Sequence, residues 1–339
     1  MGWNQASTSM NQSIVTCQKT VEINSPVILW NTEMGLACPN RRGRSACNQH
    51  NPILNNKSSE SPSEYSISNL SKAYDELKSS VYQLIIHYDA CYSSHHCHQI
   101  MKESTFKGSH FYLDVDGTLY QTCDLYWKTN TAPADDRNGN ERAIHVEISN
   151  LSWEALKSES NSHKMPSDKY RQKKDRWELF LSDQWKKQLR TPDFRAYAAR
   201  GYGKRGYFSR RINGKIVRMW DFTDEQYRAL ISLCFGLNKL LPKIRLQVPY
   251  DKKKNRTPLD RISNYSTFEG ILGHAHVQRG EADGVSCKYD PGSAFNWPRL
   301  RRALNLKKTC PWFFWPALLS LNIYNEVDPT AHTRVTLEV

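Results

Sequence analysis

Two short runs constrain the fold most: Val81 to His87 is β-rich and nearly continuously apolar, as a buried central strand would be, and Ala143 to Ser149 reads as another strand. Each nonetheless carries ionisable side chains. His87 closes the first run, and His145 and Glu147 interrupt the second. An acidic residue inside an apolar strand is costly unless it is paired or used. Buried strands of this kind also need cover on both faces, which the rest of the patterning provides.

His110 to Val115 and Thr118 to Gln121 flank Asp116-Gly117, a strong hairpin signal. Tyr74 to Ser79 closes a short helix, and His95 to Glu103 suits another. Thr223 and Gln226 form a capping box. Tyr227, Leu230, Ile231, Cys234, Leu237 and Leu241 then recur at helical spacing until Pro242 stops the run. Trp177 to Leu189 reads as a helix, and Trp297 to Leu304 as the final one. Strands mixed with helices predict an α/β fold, a single mixed central β-sheet flanked by helices. There is no internal repeat.

At 339 residues the chain accommodates one domain of about 200–250 residues plus extensions. Residues 1–65, rich in Ser and Asn, read as a partly irregular N-terminal extension in which only Pro26 to Trp30 suggests a strand packed on the body. Residues 66–305 form the regular domain, with a basic insertion at about 155–218. Residues 306–339 are expected as a tail packed on the domain. Its apolar stretch, Pro311 to Leu319, is interrupted by two prolines and is too short for the roughly 20 residues of a membrane span. Met1 to Ser13 is polar and lacks the apolar core of a signal peptide, which leaves the compartment open. The chain reads as a monomer.

Lys and Arg total 47 against 34 Asp and Glu, a net charge of +13. From His163 to Arg218 there are 17 basic and 5 acidic residues, a net +12, so nearly all the excess sits in the insertion. Such a segment attracts polyanions (nucleic acid, anionic lipid or acidic wall polymer) unless it is merely a solvated loop. The nine cysteines are odd in number and scattered, unlike a disulfide framework. Cys91 and Cys97 are close enough for a local bridge; the others suit free thiols in a reducing compartment.

His87 at a strand end, His274 after the small Gly273, and Asp290 in an Asp-Pro-Gly turn together make a common three-ligand zinc set with a fourth position for water. Lys288 projects near the same centre. His276 is the alternative to His274 within Gly-His-Ala-His, and Cys287 is a candidate fourth or substitute ligand, since thiolates suit zinc. His95-His96-Cys97-His98 looks like a metal tract, but neighbours on a helix cannot all face one ion.

In these stretches the chain resembles the type 2 N-acetylmuramoyl-L-alanine amidases, a zinc family that includes phage lysozyme-type amidases and peptidoglycan recognition proteins. The resemblance is carried by Ile85-Ile86-His87-Tyr88-Asp89-Ala90, by Ser109 to Gln121, by Ala143 to Ile148, and by Asp221 to Tyr227. It continues in Gly270 to His274 and in Lys288 to Phe295. It covers roughly residues 80–305 apart from the insertion. It implies that His87, His274 and Asp290 bind zinc, and that Glu147 and Lys288 are the family's glutamate and lysine.

The implied reaction cleaves the amide joining N-acetylmuramic acid to L-alanine in peptidoglycan or muropeptides. Zinc would polarise the carbonyl and acidify water, Glu147 would move the proton to the leaving amine, and Lys288 would steady the oxyanion. The chain departs from the family in the extra residues Glu281 to Cys287. It departs again in Lys128-Thr129-Asn130-Thr131-Ala132, which replaces a Trp-His-Ala-like stretch and its substrate-side histidine. Two other readings stand beside this one. The first is a catalytically inactive peptidoglycan-binding protein. The second is a nucleic-acid-binding protein led by the basic segment with its Tyr202, Tyr207 and Phe208. For an amidase, the basic segment is expected to dock anionic wall polymer.

Overall fold

The computed structural model describes residues 11–38, 40–41, 44–45, 70–103, 107–151, 154–156, 169–201, 206–280 and 287–309. The expected tail packing lies outside these residues. In the N-terminal part come β1 (Ser13–Thr16), β2 (Lys19–Glu22), β3 (Val27–Leu29), β4 (Asn40–Arg41) and β5 (Arg44–Ser45). The central part holds α1 (Leu70–Ser80), β6 (Gln83–Tyr88), α2 (Ser94–Glu103), β7 (Phe111–Leu113), β8 (Leu119–Gln121), α3 (Gly139–Arg142) and β9 (Ala143–Ile148). The basic insertion contributes β10 (Glu154–Leu156), β11 (Tyr170–Lys173), β12 (Arg176–Leu179), α4 (Asp183–Lys186), β13 (Phe208–Ile212) and β14 (Lys215–Met219). The chain then continues through α5 (Asp224–Leu240), β15 (Gly270–Gly273), α6 (His274–Val277) and α7 (Trp297–Thr309).

One mixed six-stranded sheet, in the order β15-β6-β9-β7-β8-β3, organises the molecule. The two apolar runs are its adjacent strands β6 and β9, which pair in parallel with Ile85 opposite His145 and His87 opposite Glu147. Strand alternation divides their side chains between two covered faces. Leu84, Ile86, Ile144, Val146, Phe111 and Leu113 face the main core, where α1, α5 and α7 supply Leu77, Leu230, Leu237 and Leu300. Ile85, Ala143 and Leu272 face the other way, and His87, His145 and Glu147 share that second face by register. The α5 capping box is present, with the Thr223 side chain accepting from the Gln226 backbone. No helix among the described residues is long and apolar enough to cross a membrane.

The N-terminal extension does more than expected. Besides β3, which joins the sheet edge beside β8, β1 and β2 form a hairpin that burial ties to the body. Ile14 is fully buried in the main core. The Gln121 amide clamps the β1 backbone from both sides, accepting from Val15 N at 2.9 Å and donating to Val15 O at 2.6 Å. Asp124 accepts from Thr16 Oγ1 at 2.8 Å and from Cys17 N at 2.7 Å.

The expected helix over Trp177 to Leu189 is corrected. Arg176–Leu179 is strand β12, paired antiparallel with β11, and only Asp183–Lys186 is helical. Trp177, Leu181, Trp185 and Leu189 fit a helical spacing, but Trp177, Leu179 and Leu181 also alternate. Packing decides for the strand: Trp177 stacks on Trp220 with ring centroids 4.1 Å apart, and Tyr170 stacks on the same indole. The basic insertion is therefore no solvated loop. It has its own apolar cluster built on Trp220, and Thr191 N donates to Asp116 in the β7–β8 turn.

If the β1–β2 hairpin belongs to the core, Ile14→Ala should cost about 2–5 kcal/mol in urea unfolding, against roughly 0.5 kcal/mol or less for the exposed Lys19→Ala. Equal small losses at both positions would show that the extension only lies on the surface.

Candidate metal centre

His87 leaves the C-terminal end of β6, and His274 starts α6 directly after β15, the strand paired with β6 in parallel. Asp290 lies in the turn Tyr289–Gly292, closed by Gly292 N donating to Tyr289 O at 2.9 Å. The three meet. His87 Nδ1 stands 3.1 Å and His274 Nδ1 2.9 Å from the same Asp290 oxygen, Oδ2. The ligand atoms all lie within 4.8 Å of one another. Gly273 permits this approach: a Cβ there would stand 2.5 Å from Pro291 Cδ and 3.1 Å from Asp290 O.

Glu147, the register partner of His87, has a carboxylate oxygen 3.9 Å from His87 Nδ1. Lys288 is half-buried, and its positive charge acts on both His87 and Glu147. Burial lowers His87 to about 4, so its imidazole is neutral at ordinary pH. Burial alone would raise Asp290, but His274 and then His87 outweigh it and hold the carboxyl well below the usual carboxylate range. Burial, reinforced by Asp89 and Asp290, pushes Glu147 well above its ordinary value.

The donor chemistry fits zinc. His274 Nε2 lies 2.9 Å from Gln278 Oε1. An amide oxygen only accepts, so Nε2 carries a proton and Nδ1 is the nitrogen turned to the Asp290 carboxylate. A proton or a metal ion must lie between groups this close, and two imidazoles with a carboxylate match the donor set of a catalytic zinc site.

The long stretch between His274 and Lys288 does not separate these groups, because the basic insertion reaches across it. Asn213, in the β13–β14 turn, donates through Nδ2 to Ala275 O at 3.0 Å and to Lys288 O at 2.8 Å. Its Oδ1 accepts from Arg261 N at 3.0 Å. Ala275 N also donates directly to Asp290 O at 2.9 Å.

The alternative ligands turn elsewhere. His276 Nε2 meets Pro258 O at 2.8 Å and its ring packs on Trp297. Cys287 Sγ donates to Asn213 O at 2.7 Å. The His95–His98 tract disperses, His95 against Tyr120, His96 against Trp185 and His98 to Ala37 O. Cys91 and Cys97 are free thiols rather than a bridge. Their sulfurs approach Asp89, but its carboxylate already accepts from Cys91 N at 2.9 Å, Ser149 Oγ at 2.8 Å and Asn150 N at 3.2 Å. In the stretch that replaces the Trp-His-Ala-like segment, Lys128 pairs with Glu141 and Thr129 Oγ1 lies 3.0 Å from His110 Nδ1. Sequence reasoning assigned no role to His145, whose Nδ1 lies 3.1 Å from His87 Nε2. The signal was present in His145-Val146-Glu147, where the two-residue spacing puts both ionisable groups on one face.

Asn213 has φ +47, so Asn213→Gly keeps the backbone accessible and removes only the amide. Chemical unfolding should show a loss of about 1–3 kcal/mol from the carbonyls left without donors. A loss under roughly 0.5 kcal/mol would mean that the two ligand loops hold each other unaided.

The family model for N-acetylmuramoyl-L-alanine amidase matches residues 77–293. Among solved structures, a crystal structure of a selenomethionine AmpD derivative is 14% identical, with a TM-score of 0.31 over 67% of this chain and 86% of its own. None of the curated proteins matches significantly. The family match takes in more than half of the chain and spans every residue of the centre, and the chain belongs to the N-acetylmuramoyl-L-alanine amidase family.

Proposed function

We propose that this protein is a zinc-dependent amidase that hydrolyses the bond between N-acetylmuramic acid and L-alanine in peptidoglycan or its muropeptides. The observation that carries the reading is the convergence of His87, His274 and Asp290 on one point with Glu147 beside them. His87, His274 and Asp290 would hold the ion, which supplies Lewis-acid polarisation of the scissile carbonyl and a more acidic water. Glu147, kept basic by its buried surroundings, accepts the proton of the attacking water and delivers it to the leaving amine. The Lys288 ammonium steadies negative charge on the carbonyl oxygen. The β6–β9 register holds Glu147 and His87 side by side, so ligand and base need no rearrangement to act together.

The basic insertion serves this reaction as a docking surface for anionic wall polymer. Arg171, Lys173, Lys186 and Phe194 line a cavity of about 350 Å³ with Phe180, whose ring is 43% exposed. The Arg171 guanidinium lies 3.6 Å from the centre of that ring. Arg195, at the same cavity, is engaged by Glu178 at 2.7 Å. Cations beside an exposed aromatic face suit a charged glycan, which offers acidic groups and a sugar ring together.

Two measurements test these assignments. Glu147→Gln should retain zinc by elemental analysis while release of L-alanyl peptide from muropeptides falls about 10²–10⁴-fold. Intact turnover would remove Glu147 from the chemistry, and wall binding by the unsubstituted protein without any peptide release would instead support an inactive binding protein. Deleting the insertion is no test of docking, because Tyr170 and Trp177 are part of its packed cluster. The triple charge reversal Arg171→Glu, Lys173→Glu, Lys186→Glu should weaken binding to intact walls by about tenfold at low salt and leave muropeptide hydrolysis unchanged. Equal losses on walls and muropeptides would count against a separate docking surface.

A further inference from the structure

Resting on the zinc reading above, we propose that His145 is the positioning residue that sets the metal-binding tautomer of His87. His145 is fully buried on β9, on the same sheet face as His87. Its Nδ1 is 3.1 Å from His87 Nε2, the nitrogen turned away from Asp290, and the ring centroids are 5.3 Å apart. On its other side the ring stacks on His110, with centroids 5.7 Å apart and planes 15° from parallel. His110 is itself locked. Its Nδ1 accepts from the His145 backbone N–H at 3.1 Å, so its proton lies on Nε2 and goes to Trp127 O at 2.8 Å. The remaining His145 nitrogen, Nε2, is buried and has no hydrogen-bond partner among the described residues.

Only one proton fits between His87 Nε2 and His145 Nδ1, and it can belong to either ring. If His145 donates, the single proton of neutral His87 sits on Nδ1 and points at Asp290. That arrangement satisfies the pair, but it closes the ligand face. If His87 donates, its Nδ1 lone pair faces Asp290 beside that of His274, the arrangement a metal requires. The proton of His145 then lies on Nε2, where nothing receives it. Exchange between the two states leaves each ring with one proton, on Nδ1 in the first state and on Nε2 in the second, and changes neither net charge nor proton count. His145 is thus the acceptor behind the ligand, the place usually taken by a carboxylate or a backbone carbonyl. Its cost to the fold is one buried nitrogen without a partner.

The feature separates positioning from packing, because the two roles predict opposite signs. His145→Leu has similar bulk and no acceptor. In the full chain it should weaken zinc binding about 10–100-fold by chelator competition, with the metal-free protein as stable as the unsubstituted one or more so. His145→Asn, whose carbonyl oxygen can accept from His87 Nε2, should recover most of the affinity. Long-range ¹H–¹⁵N correlation of the zinc-loaded, unsubstituted protein should place the protons of both His87 and His145 on Nε2. The inference falls if His145→Leu leaves zinc affinity within about twofold, if Leu and Asn lower affinity and metal-free stability alike, or if loaded His145 carries its proton on Nδ1. Failure of the unsubstituted chain to bind zinc would overturn the functional reading as well, whereas tight binding by both it and His145→Leu would overturn this inference alone.

Discussion

The parallel pairing of β6 with β9, in the register that sets His87 against Glu147, is the constraint on which the rest of the site depends. A shift of one residue would send both side chains into the main core and bring Ile86 and Val146 to the site face. The register is held because both strands are buried on both faces, with Leu84, Ile86, Ile144 and Val146 anchoring the main core. Side chains that must act together therefore inherit their spacing from the sheet rather than from loops. The other two members of the candidate metal centre are brought to this fixed pair. His274 arrives on the next parallel strand, and Asp290 arrives on a turn that the bare backbone of Gly273 allows to approach.

Concentrating ionisable groups on one buried face creates an electrostatic problem as well as a site. Asp89 and Asp290 lie close enough to raise the cost of charge on Glu147, which is pushed well above its ordinary range by burial and then by both aspartates. His274 and His87 offset the charge of Asp290, but neither is among the groups that lower Glu147, and burial holds His87 down at about 4. Lys288 is the cation whose charge lowers Glu147 most. A divalent ion between His87, His274 and Asp290 would complete the balance, since buried carboxylates are tolerated when they coordinate metal.

Much of this was legible in the sequence. The β6 and β9 runs read as buried strands, the α5 capping box is a local signal, and the candidate metal residues stood out through their matched surroundings. What escaped depends on contacts across long sequence distances. The Trp177 segment fits two periodicities, and only the indole of Trp220 selects the strand. The β1–β2 hairpin is mostly polar in composition, so neither its burial nor the Gln121 clamp across the intervening chain could be read from its residues. His145 drew no assignment because its partner, His87, lies on another strand.

The insertion and the site are one structure, which changes how the extra length between His274 and Lys288 is understood. Added residues in a loop cost little entropy on closure, but they loosen the geometry of whatever the loop connects. Here the two ends of that loop are tied again from outside, by the side chain of Asn213 bonding to Ala275 O and Lys288 O. Asn213 belongs to β13–β14, the same hairpin whose strands carry part of the positive charge. An insertion that only docked polymer would have no reason to place a buried amide between two ligand loops. The hairpin thus holds the two ends of the longer loop together through one side chain, and the candidate metal centre rests in part on an element of the basic insertion.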